Sequence, residues 1–454
     1  MAAALDLTDI QGDVLRAYGN AYECTSYVFA RIDDAAAGRA WLAGLAGGVT
    51  SAAPWSGAKP PCHTNVALTY AGLRALGLPD RLLDTFSAEF RAGMAQRAGV
   101  LGDTGASDPS SWDEGLGRGQ AHVLVTLNAL GESELEEALG TLRSGIAAAG
   151  GVGVAFEQHA RLLGASREHF GYADGFAQPA IEGVTGEKVR GGGVPEAKGS
   201  WRALAPGEFI LGYEDEDSRV DPKRRLPKAP GEPLGRNGTY MVWRKLHQDV
   251  ALFRRTVAAA AAGYEGGEEK LRAKIVGRWT DGTPLVSSPD APDPHFDPAT
   301  GNDFHYAGVD PHGHRCPLGS HIRRSNPRDA LGWEGRLSFR HRIIRRGMPY
   351  GHALPDGVTD DDGADRGLVF VCFNASIARQ FEGIQAQWLN DGNIFHLGHD
   401  KDYLLGDSSA TAKMTVQGDP PYFLAPQPSF VTTRGGEYLF VPGLAALAAI
   451  AKPL

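Results

Sequence analysis

The chain has 454 residues, and 45 Lys and Arg residues against 54 Asp and Glu residues give a formal net charge of −9. This balance excludes a generally basic nucleic-acid-binding protein. No run of about 18 apolar residues occurs, so the sequence predicts no membrane-spanning helix. At about 150 residues per domain, the length predicts roughly three domains or two large ones.

The glycine and cysteine content narrows the possible classes of protein further. The 60 glycines are about 13% of the chain, against a usual value of about 7%, which predicts many loops. Cys24, Cys62, Cys316 and Cys372 are far apart and form no CxxC pair, so neither a disulfide framework nor a four-thiolate zinc site is expected. Residues 1–10 carry no basic region and no apolar stretch, which predicts a cytoplasmic protein without a signal peptide.

The first third of the chain alternates strand and helix patterns. β-branched and aromatic residues predict strands, and helix formers at helical spacing predict helices. The predicted strands are 24–32, 63–69, 121–128 and 152–158, and the predicted helices are 36–46, 70–77, 80–97 and 132–148. This β-α-β-β-α-β order with an extra helix is typical of a ferredoxin-like sandwich.

A second alternation follows two stretches, 186–206 and 219–238, that are dense in Gly, Pro, Lys and Arg and are predicted as loops. The predicted strands are 208–213, 239–246, 341–346, 367–373 and 437–441, and the predicted helices are 247–262 and 376–389. From residue 239 onward the order is again β-α-β-β-α-β. We therefore predict an α+β fold of two ferredoxin-like halves, residues 5–200 and residues 201–454.

Histidines are concentrated in one region of the second half. Five of them lie within 37 residues, together with Cys316: His305, His312, His314, His321 and His341. One interpretation is a zinc or non-haem metal site, built from His312, His314 and Cys316 with Asp310 nearby. The other is a single histidine that holds a larger cofactor. Composition alone favours neither and predicts no metal.

Two further segments carry chemistry-bearing residues. In Gly171-Tyr-Ala-Asp174-Gly175, the aspartate either caps its own turn or is held near a reacting atom by a backbone that only glycine permits. At the end of the predicted strand 341–346, Arg345 and Arg346 are adjacent. Alternation along a strand sends them to opposite faces, so one of the two can point inward.

Taken together, segments 171–175, 316–329 and 345–351 resemble the haem-binding segments of the dye-decolourising peroxidases, and GYADG is that family's GxxDG motif. Other stretches resemble the longer, bacterial-type members: 9–15, 97–103, 206–213, 237–246, 277–285 and 435–442. The resemblance covers essentially the whole chain. It implies two ferredoxin-like halves in a dimeric α+β barrel-like fold, with haem b (iron protoporphyrin IX) in the C-terminal half.

The resemblance also implies a role for individual residues. His321 is expected to be the proximal ligand of the haem iron, with Asp402 accepting its other N–H and Asp400 or Asp391 as alternatives. Asp174 is expected to be the distal acid–base, presented by Gly171 and Gly175.

Arg345, rather than Arg346, is expected to be the distal arginine, because its fixed charge stabilises negative charge on peroxide. Leu368 and Phe370 match positions that line the haem in longer relatives, although ordinary strand core explains them equally well.

The implied reaction is the H₂O₂-dependent oxidation of organic donors, such as dyes and phenolics, by one-electron steps. Mn²⁺ is a further donor to consider, although Asp360, Asp361 and Asp362 form only a generic acidic loop. Bulky donors would react at a surface aromatic residue, for which the formal candidates are Trp201, Trp243, Trp279, Trp333, Trp388 and Tyr350. The alternatives are a haem-handling protein with incidental peroxidase activity and a non-haem metal hydrolase.

Overall fold

The structure is a computed structural model of the chain. It describes residues 4–16, 21–175, 177–185, 189–196, 200–221, 223, 229–332, 335–406 and 413–453. Trp333, one of the candidate surface aromatics, lies outside these ranges.

The first set of elements runs from the amino terminus to residue 161. Its strands are β1 (Cys24–Ile32), β2 (Cys62–Leu68), β3 (Val123–Ala129) and β4 (Val152–Arg161). Its helices are α1 (Gly12–Leu15), α2 (Ala35–Ala46), α3 (Tyr70–Ala75), α4 (Asp80–Leu83), α5 (Ala88–Ala92), α6 (Ala98–Leu101) and α7 (Glu132–Ala149).

The second set occupies the rest of the described chain. Its strands are β5 (Val194–Pro195), β6 (Trp201–Arg202), β7 (Thr239–Gln248), β8 (Ile344–Arg345), β9 (Met348–Tyr350), β10 (Gly367–Asn374), β11 (Met414–Val416), β12 (Tyr422–Leu424) and β13 (Val431–Val441). Its helices are α8 (Glu216–Val220), α9 (Val250–Ala261), α10 (Gly267–Val276), α11 (His321–Ser325) and α12 (Leu444–Ile450), with π-helical turns at Ala378–Glu382 and Ile384–Leu389.

The main sheet joins both sets. Its strand order is β4-β1-β3-β2-β13-β7-β10-β8, and β9 also pairs with β10. The orders β4-β1-β3-β2 and β13-β7-β10-β8 repeat one pattern, the antiparallel 4-1-3-2 order of a ferredoxin-like unit. The halves meet where Leu68 of β2 pairs with Phe440 of β13, and β4 contacts β9 at the far ends of the sheet. The predicted α+β fold of two ferredoxin-like halves is therefore confirmed.

Alternating side chains of the strands form two apolar clusters. Val28, Val242 and Cys372 belong to one cluster, together with residues of α2 and α7. Their strand neighbours Phe29, Trp243 and Phe373 belong to the other. Successive side chains of a strand point to opposite faces, so the sheet is buried on both sides.

Two predicted strands and one predicted helix differ in the structure. The segment 208–213 is a 3₁₀ turn (Pro206–Glu208) followed by irregular chain, in which the amides of Phe209 and Ile210 both donate to the Pro206 carbonyl. The apolar side chains of this segment are explained by burial, and they do not indicate an extended backbone. In 341–346 only Ile344 and Arg345 form strand.

The predicted helix 80–97 is divided into α4, α5 and a 3₁₀ turn (Met94–Arg97). Gly93, at φ +76°, ends α5.

Candidate functional site

A cavity with about 2080 Å³ of atom-free space, including its mouth, is lined mostly by residues after position 200, and also by earlier residues such as Leu101 and Asp174. Strands β7, β8 and β10 form one wall, α10 and α11 contribute to another, and the π-helical turns line it further. His321, Asp174 and Arg345 all line this cavity.

His321 is the first residue of α11 and is paired with a buried carboxylate. Its Nδ1–H donates to Asp402 Oδ2 at 2.9 Å, and Asp402 is 1% exposed. The second oxygen, Oδ1, accepts the backbone N–H groups of Leu404 and Leu405 at 3.0 and 2.8 Å, which fixes the carboxylate in place. Because Nδ1 is used as a donor, Nε2 remains as a lone-pair donor for a ligand in the cavity.

The same pair shifts both pKa values in the direction of an ion pair. Burial by itself would lower the pKa of His321, but the Asp402 charge and hydrogen bond outweigh it, so the net change is upward. Burial would raise the pKa of Asp402, and His321 together with the Leu405 N–H lowers it overall. Asp400 and Asp391, the alternatives considered above, make no hydrogen bond to His321 among the described residues.

Asp174 and Arg345 form a second pair at the cavity wall. Arg345 NH1 lies 3.0 and 2.9 Å from the two Asp174 carboxylate oxygens. Burial would raise the pKa of Asp174, but the charge and hydrogen bond of Arg345 outweigh it and hold that pKa below its ordinary value. Asp174 and Arg345 line the same cavity as His321, and neither makes a hydrogen bond to His321 in the described structure.

The two glycines around Asp174 have backbones that other residues adopt poorly. Gly171 lies at φ +96° and Gly175 at φ +100°. Between them, the amide of Ala173 donates to the Thr280 carbonyl at 2.9 Å, and that of Asp174 to the Ser166 carbonyl at 3.2 Å. The loop conformation that directs Asp174 to the cavity therefore depends on positive φ at both of its ends.

Leu368 and Phe370 both line the cavity. Arg345 is opposite Cys372 in the sheet, and positions 368, 370 and 372 of β10 share one face. The two apolar side chains therefore lie on the face to which Arg345 points. Arg346 points the other way, and its guanidinium binds the carbonyls of Asp13 and Arg345 at 2.8 Å.

The alternative metal site is not formed. Within the described ranges, no group of three or more His, Cys, Asp and Glu side chains could hold a metal ion. Cys316 is fully buried, and the Asp310 carboxylate binds the Cys316 amide and Arg323. The rings of His312 and His314 are 6.4 Å apart.

Two buried arginines of the cavity wall, Arg328 and Arg342, were not predicted as site residues from the sequence. Arg328 donates only to neutral oxygens, those of Gly191, Phe304 and Asn302. Arg342 makes no hydrogen bond or ion pair through its guanidinium within the described part of the chain. Burial lowers the pKa of Arg328 to about 9 and that of Arg342 to about 10. Only the arginine-rich composition of 322–346 could have indicated them.

The candidate surface aromatics differ in exposure. Trp243, Trp279, Trp388 and Tyr350 are each at most 2% exposed. Trp201 is half-buried, stacks on His305 at a ring distance of 4.3 Å, and donates its indole N–H to Asp303. Among the described candidates, therefore, Trp201 alone presents ring surface to solvent.

Comparison with known families covers both halves. The model of the DyP dimeric alpha+beta barrel domain matches residues 9–168, and that of the Dyp-type peroxidase C-terminal domain matches residues 212–397. The chain is 30% identical over 486 residues to the multifunctional dye peroxidase DyP2 of an Amycolatopsis species, covering 98% of this chain and 96% of the relative. It is 29% identical over 480 residues to the dye-decolorizing peroxidase msp1 of Mycetinis scorodonius, covering 98% and 88%.

Solved structures agree with this result. A fungal DyP-type peroxidase from Auricularia auricula-judae superposes with a TM-score of 0.83 at 26% identity, covering 99% of this chain and 100% of that one. A dye-decolorizing peroxidase in complex with 2,6-dimethoxyphenol superposes with a TM-score of 0.82 at 26% identity and the same coverage. The chain therefore belongs to the dye-decolourising peroxidase family, whose members are haem peroxidases.

Proposed function

We propose that this enzyme binds haem b through His321 and uses H₂O₂ to oxidise dyes and phenolics in one-electron steps. The observation that carries the proposal is that His321, Asp174 and Arg345 line one cavity. His321 is hydrogen-bonded to Asp402, and Arg345 is paired with Asp174. The first pair supplies an electron-rich imidazole, and the second supplies a base beside a fixed cation.

The cavity fits a haem group in its chemistry. The imidazole Nε2 of His321 is a suitable iron ligand, and Asp402 increases its basicity by accepting the Nδ1–H. Leu368 and Phe370 offer apolar contact to a porphyrin. Arg328 and Arg342 are buried cations with no carboxylate hydrogen-bond partner in the described ranges, so two carboxylate groups of a ligand would compensate both charges.

When bound, haem supplies the oxidising equivalents that peroxide delivers to it. The protein moves the proton. An oxygen of the Asp174 carboxylate would accept a proton from one oxygen of H₂O₂ and return it to the other oxygen, which departs as water. Because Arg345 holds the pKa of Asp174 low, the carboxylate is in its basic form when peroxide arrives. The Arg345 guanidinium then stabilises the negative charge that develops as the oxygen–oxygen bond breaks.

The Asp174–Arg345 pair, called the distal pair below, favours a peroxidase over a haem-handling protein. Binding alone requires the His321 ligand and an apolar pocket, whereas Asp174 and Arg345 contribute only to peroxide chemistry. For Mn²⁺ as a donor, the acidic loop gives little support, since Asp361 accepts the Gly363 amide and Asp362 binds Arg366.

Absorption spectroscopy of the purified protein tests the proposal. We expect a Soret band that shifts on addition of H₂O₂, and we expect His321→Ala to lose most of its haem. Arg340→Leu, which removes a half-buried cation outside the cavity wall, serves as a control and is expected to keep the band. A colourless, zinc-loaded protein, or a His321→Ala variant with an unchanged spectrum, would disprove the proposal.

Two finer predictions go with this function. We propose that the boundary between the halves lies near residue 200, in the chain between β4 and β7. No helix of the described residues is long and apolar enough to cross a membrane. The cytoplasmic location stays a prediction.

A further inference from the structure

Gln178 lies four residues after Asp174 and contacts the backbone of Arg345 at two points. Its Oε1 accepts a hydrogen bond from the Arg345 N–H at 3.0 Å. Its Nε2 donates to the Arg345 carbonyl, also at 3.0 Å. One side-chain amide thus pairs with both polar groups of a single residue on another element, 167 positions away.

The strand geometry explains why these two groups are available. Strand β8 is at the edge of the sheet, where Arg345 is opposite Cys372 of β10. The next amide, that of Arg346, donates to the Val371 carbonyl at 2.8 Å. Hydrogen-bonded pairs alternate along an antiparallel ladder, so the N–H and carbonyl of Arg345 point away from β10. The amide of Gln178 takes the place of the missing neighbouring strand.

The two ends of Arg345 therefore depend on a single loop. Asp174 binds the guanidinium, and Gln178 binds the backbone. The Arg345 carbonyl has a second donor, Arg346 NH1 at 2.8 Å, whereas the Arg345 N–H has only Gln178 as a partner among the described residues. A buried or half-buried N–H without an acceptor is costly, so loss of Gln178 favours a shift of β8.

We propose that Gln178 is a positioning residue for the distal pair: it fixes the distance between the Asp174 loop and the Arg345 strand, and so places the base and the cation relative to bound peroxide. The proposal rests on the proposed function of Asp174 and Arg345. Gln178 is absent from the cavity wall, so its effect on chemistry is transmitted through Arg345.

The chain offers a matched control in Gln11. Its Oε1 accepts the Val66 N–H at 2.8 Å and its Nε2 donates to the Val66 carbonyl at 2.8 Å. This is the same two-point contact with a strand backbone, and Gln11 does not line the cavity. Gln178→Met and Gln11→Met each remove the two-point contact at constant side-chain length. Gln11→Met also removes the hydrogen bonds of Gln11 with the Pro442 carbonyl and the Asn65 side chain.

The test is the rate of cyanide association with the ferric holoenzyme, followed at the Soret band without turnover. Hydrogen cyanide loses its proton on binding, so the rate reports the placement of Asp174. We expect Gln178→Met to slow association about tenfold, Asp174→Asn to slow it about 100-fold, and Gln11→Met to keep the parental rate with a lowered melting temperature. A crystal structure of Gln178→Met should show an increased Asp174–Arg345 distance.

The outcomes separate the two proposals. A parental rate in Asp174→Asn would overturn the function proposed for that residue. A slow Asp174→Asn with a parental Gln178→Met would overturn the positioning role alone, as would equal slowing in Gln178→Met and Gln11→Met. If Gln178→Met binds no haem, Gln178→Glu, which keeps an acceptor for the Arg345 N–H, is measured instead. We expect a smaller slowing for it, and a parental rate would overturn the proposal.

Discussion

At the scale of single residues, the site depends on charges that are either compensated within the protein or left for a ligand. Asp174 belongs to the first kind, because Arg345 lies within 3.0 Å of both carboxylate oxygens. Arg342 belongs to the second, because no described acid is paired with it. These two arrangements respond to substitution in opposite ways.

The lowered pKa of Asp174 determines the pH dependence of the peroxide reaction. Since the carboxylate is the active form, the rate should stay high until the pH falls below the ordinary aspartate value of about 3.9. In Arg345→Leu the burial that raises the pKa of Asp174 is no longer opposed by the arginine. We therefore expect the acidic limb of the rate profile, measured by stopped flow, to move to higher pH.

The lowered pKa of Asp174 also makes the stability of the fold depend on pH. A carboxylate with a lowered folded-state pKa stabilises the fold above its unfolded-state pKa, and this contribution is lost as the pH falls through the folded-state value. Asp174→Asn should remove both pH effects. An acidic limb at the same pH in the parent and in Arg345→Leu would contradict the assignment.

Arg342 should destabilise the haem-free protein and stabilise the loaded one. Replacing a buried, uncompensated cation by Leu removes a desolvation cost, so we expect Arg342→Leu to raise the free energy of unfolding of the apoprotein by about 1–2 kcal/mol. The same variant should bind haem about tenfold more weakly, because a charge-assisted hydrogen bond is lost. Thermal unfolding of the apoprotein and titration with haem measure the two effects.

Arg340 provides the opposite control. It is a half-buried arginine paired with Glu208 and Asp215, so Arg340→Leu should destabilise the apoprotein and leave haem affinity unchanged. Equal effects of the two substitutions would show that Arg342 is compensated after all.

At the scale of elements, the site is built from irregular backbone supported by regular strands. The Asp174 loop contacts α10, where the Arg272 guanidinium donates to the Phe170 carbonyl at 2.7 Å. A Cβ at Gly171 would lie 3.3 Å from that guanidinium, and φ at Gly171 is +96°. The loop therefore has little tolerance for a side chain.

Gly171→Ala should lower the free energy of unfolding by about 1–2 kcal/mol and slow the reaction with peroxide. Gly140→Ala is the matched control, because that glycine is inside α7 with no atom within 4 Å of the added Cβ. There the change should stabilise the protein by up to about 1 kcal/mol. Chemical denaturation measures both values, and a neutral Gly171→Ala would show that the loop adapts at no cost.

At the scale of the whole molecule, the two halves are held together by more than the single β2–β13 contact. Gln11 binds the carbonyls of Val66 in the first half and Pro442 in the second, at 2.8 and 2.9 Å. Arg97 binds Glu382 through two hydrogen bonds, of 2.8 and 2.7 Å, and Tyr438 donates to the same carboxylate. These buried contacts couple the stability of the halves.

We therefore expect the apoprotein to unfold in one cooperative transition rather than two. Gln11→Met should shift that single transition to lower denaturant concentration without splitting it. Far-ultraviolet circular dichroism and tryptophan fluorescence provide independent probes. Non-coincident curves, or a fragment 201–454 that folds and binds haem alone, would contradict the coupling.

The sequence by itself determined the repeated strand order and the residues of the two pairs. Runs of β-branched and aromatic residues identify strands such as β1, β7 and β10, because strands that are buried on both faces are apolar along nearly their whole length. His321, Asp174 and Arg345 were predicted as site residues from the resemblance of three short segments to one family, and Asp402 was preferred over its neighbours from its position in the chain by the same resemblance.

Only the tertiary structure decided which of these residues meet and what surrounds them. The strand order in the joined sheet, the orphan charge of Arg342 and the two-point contact of Gln178 with Arg345 all depend on residues far apart in the chain. The segment 208–213 has the apolar pattern of a strand and is a turn, because burial alone produced that pattern. The local sequence indicates whether a side chain is buried. The partners of a buried polar group are set by long-range packing, and those partners give this site its chemistry.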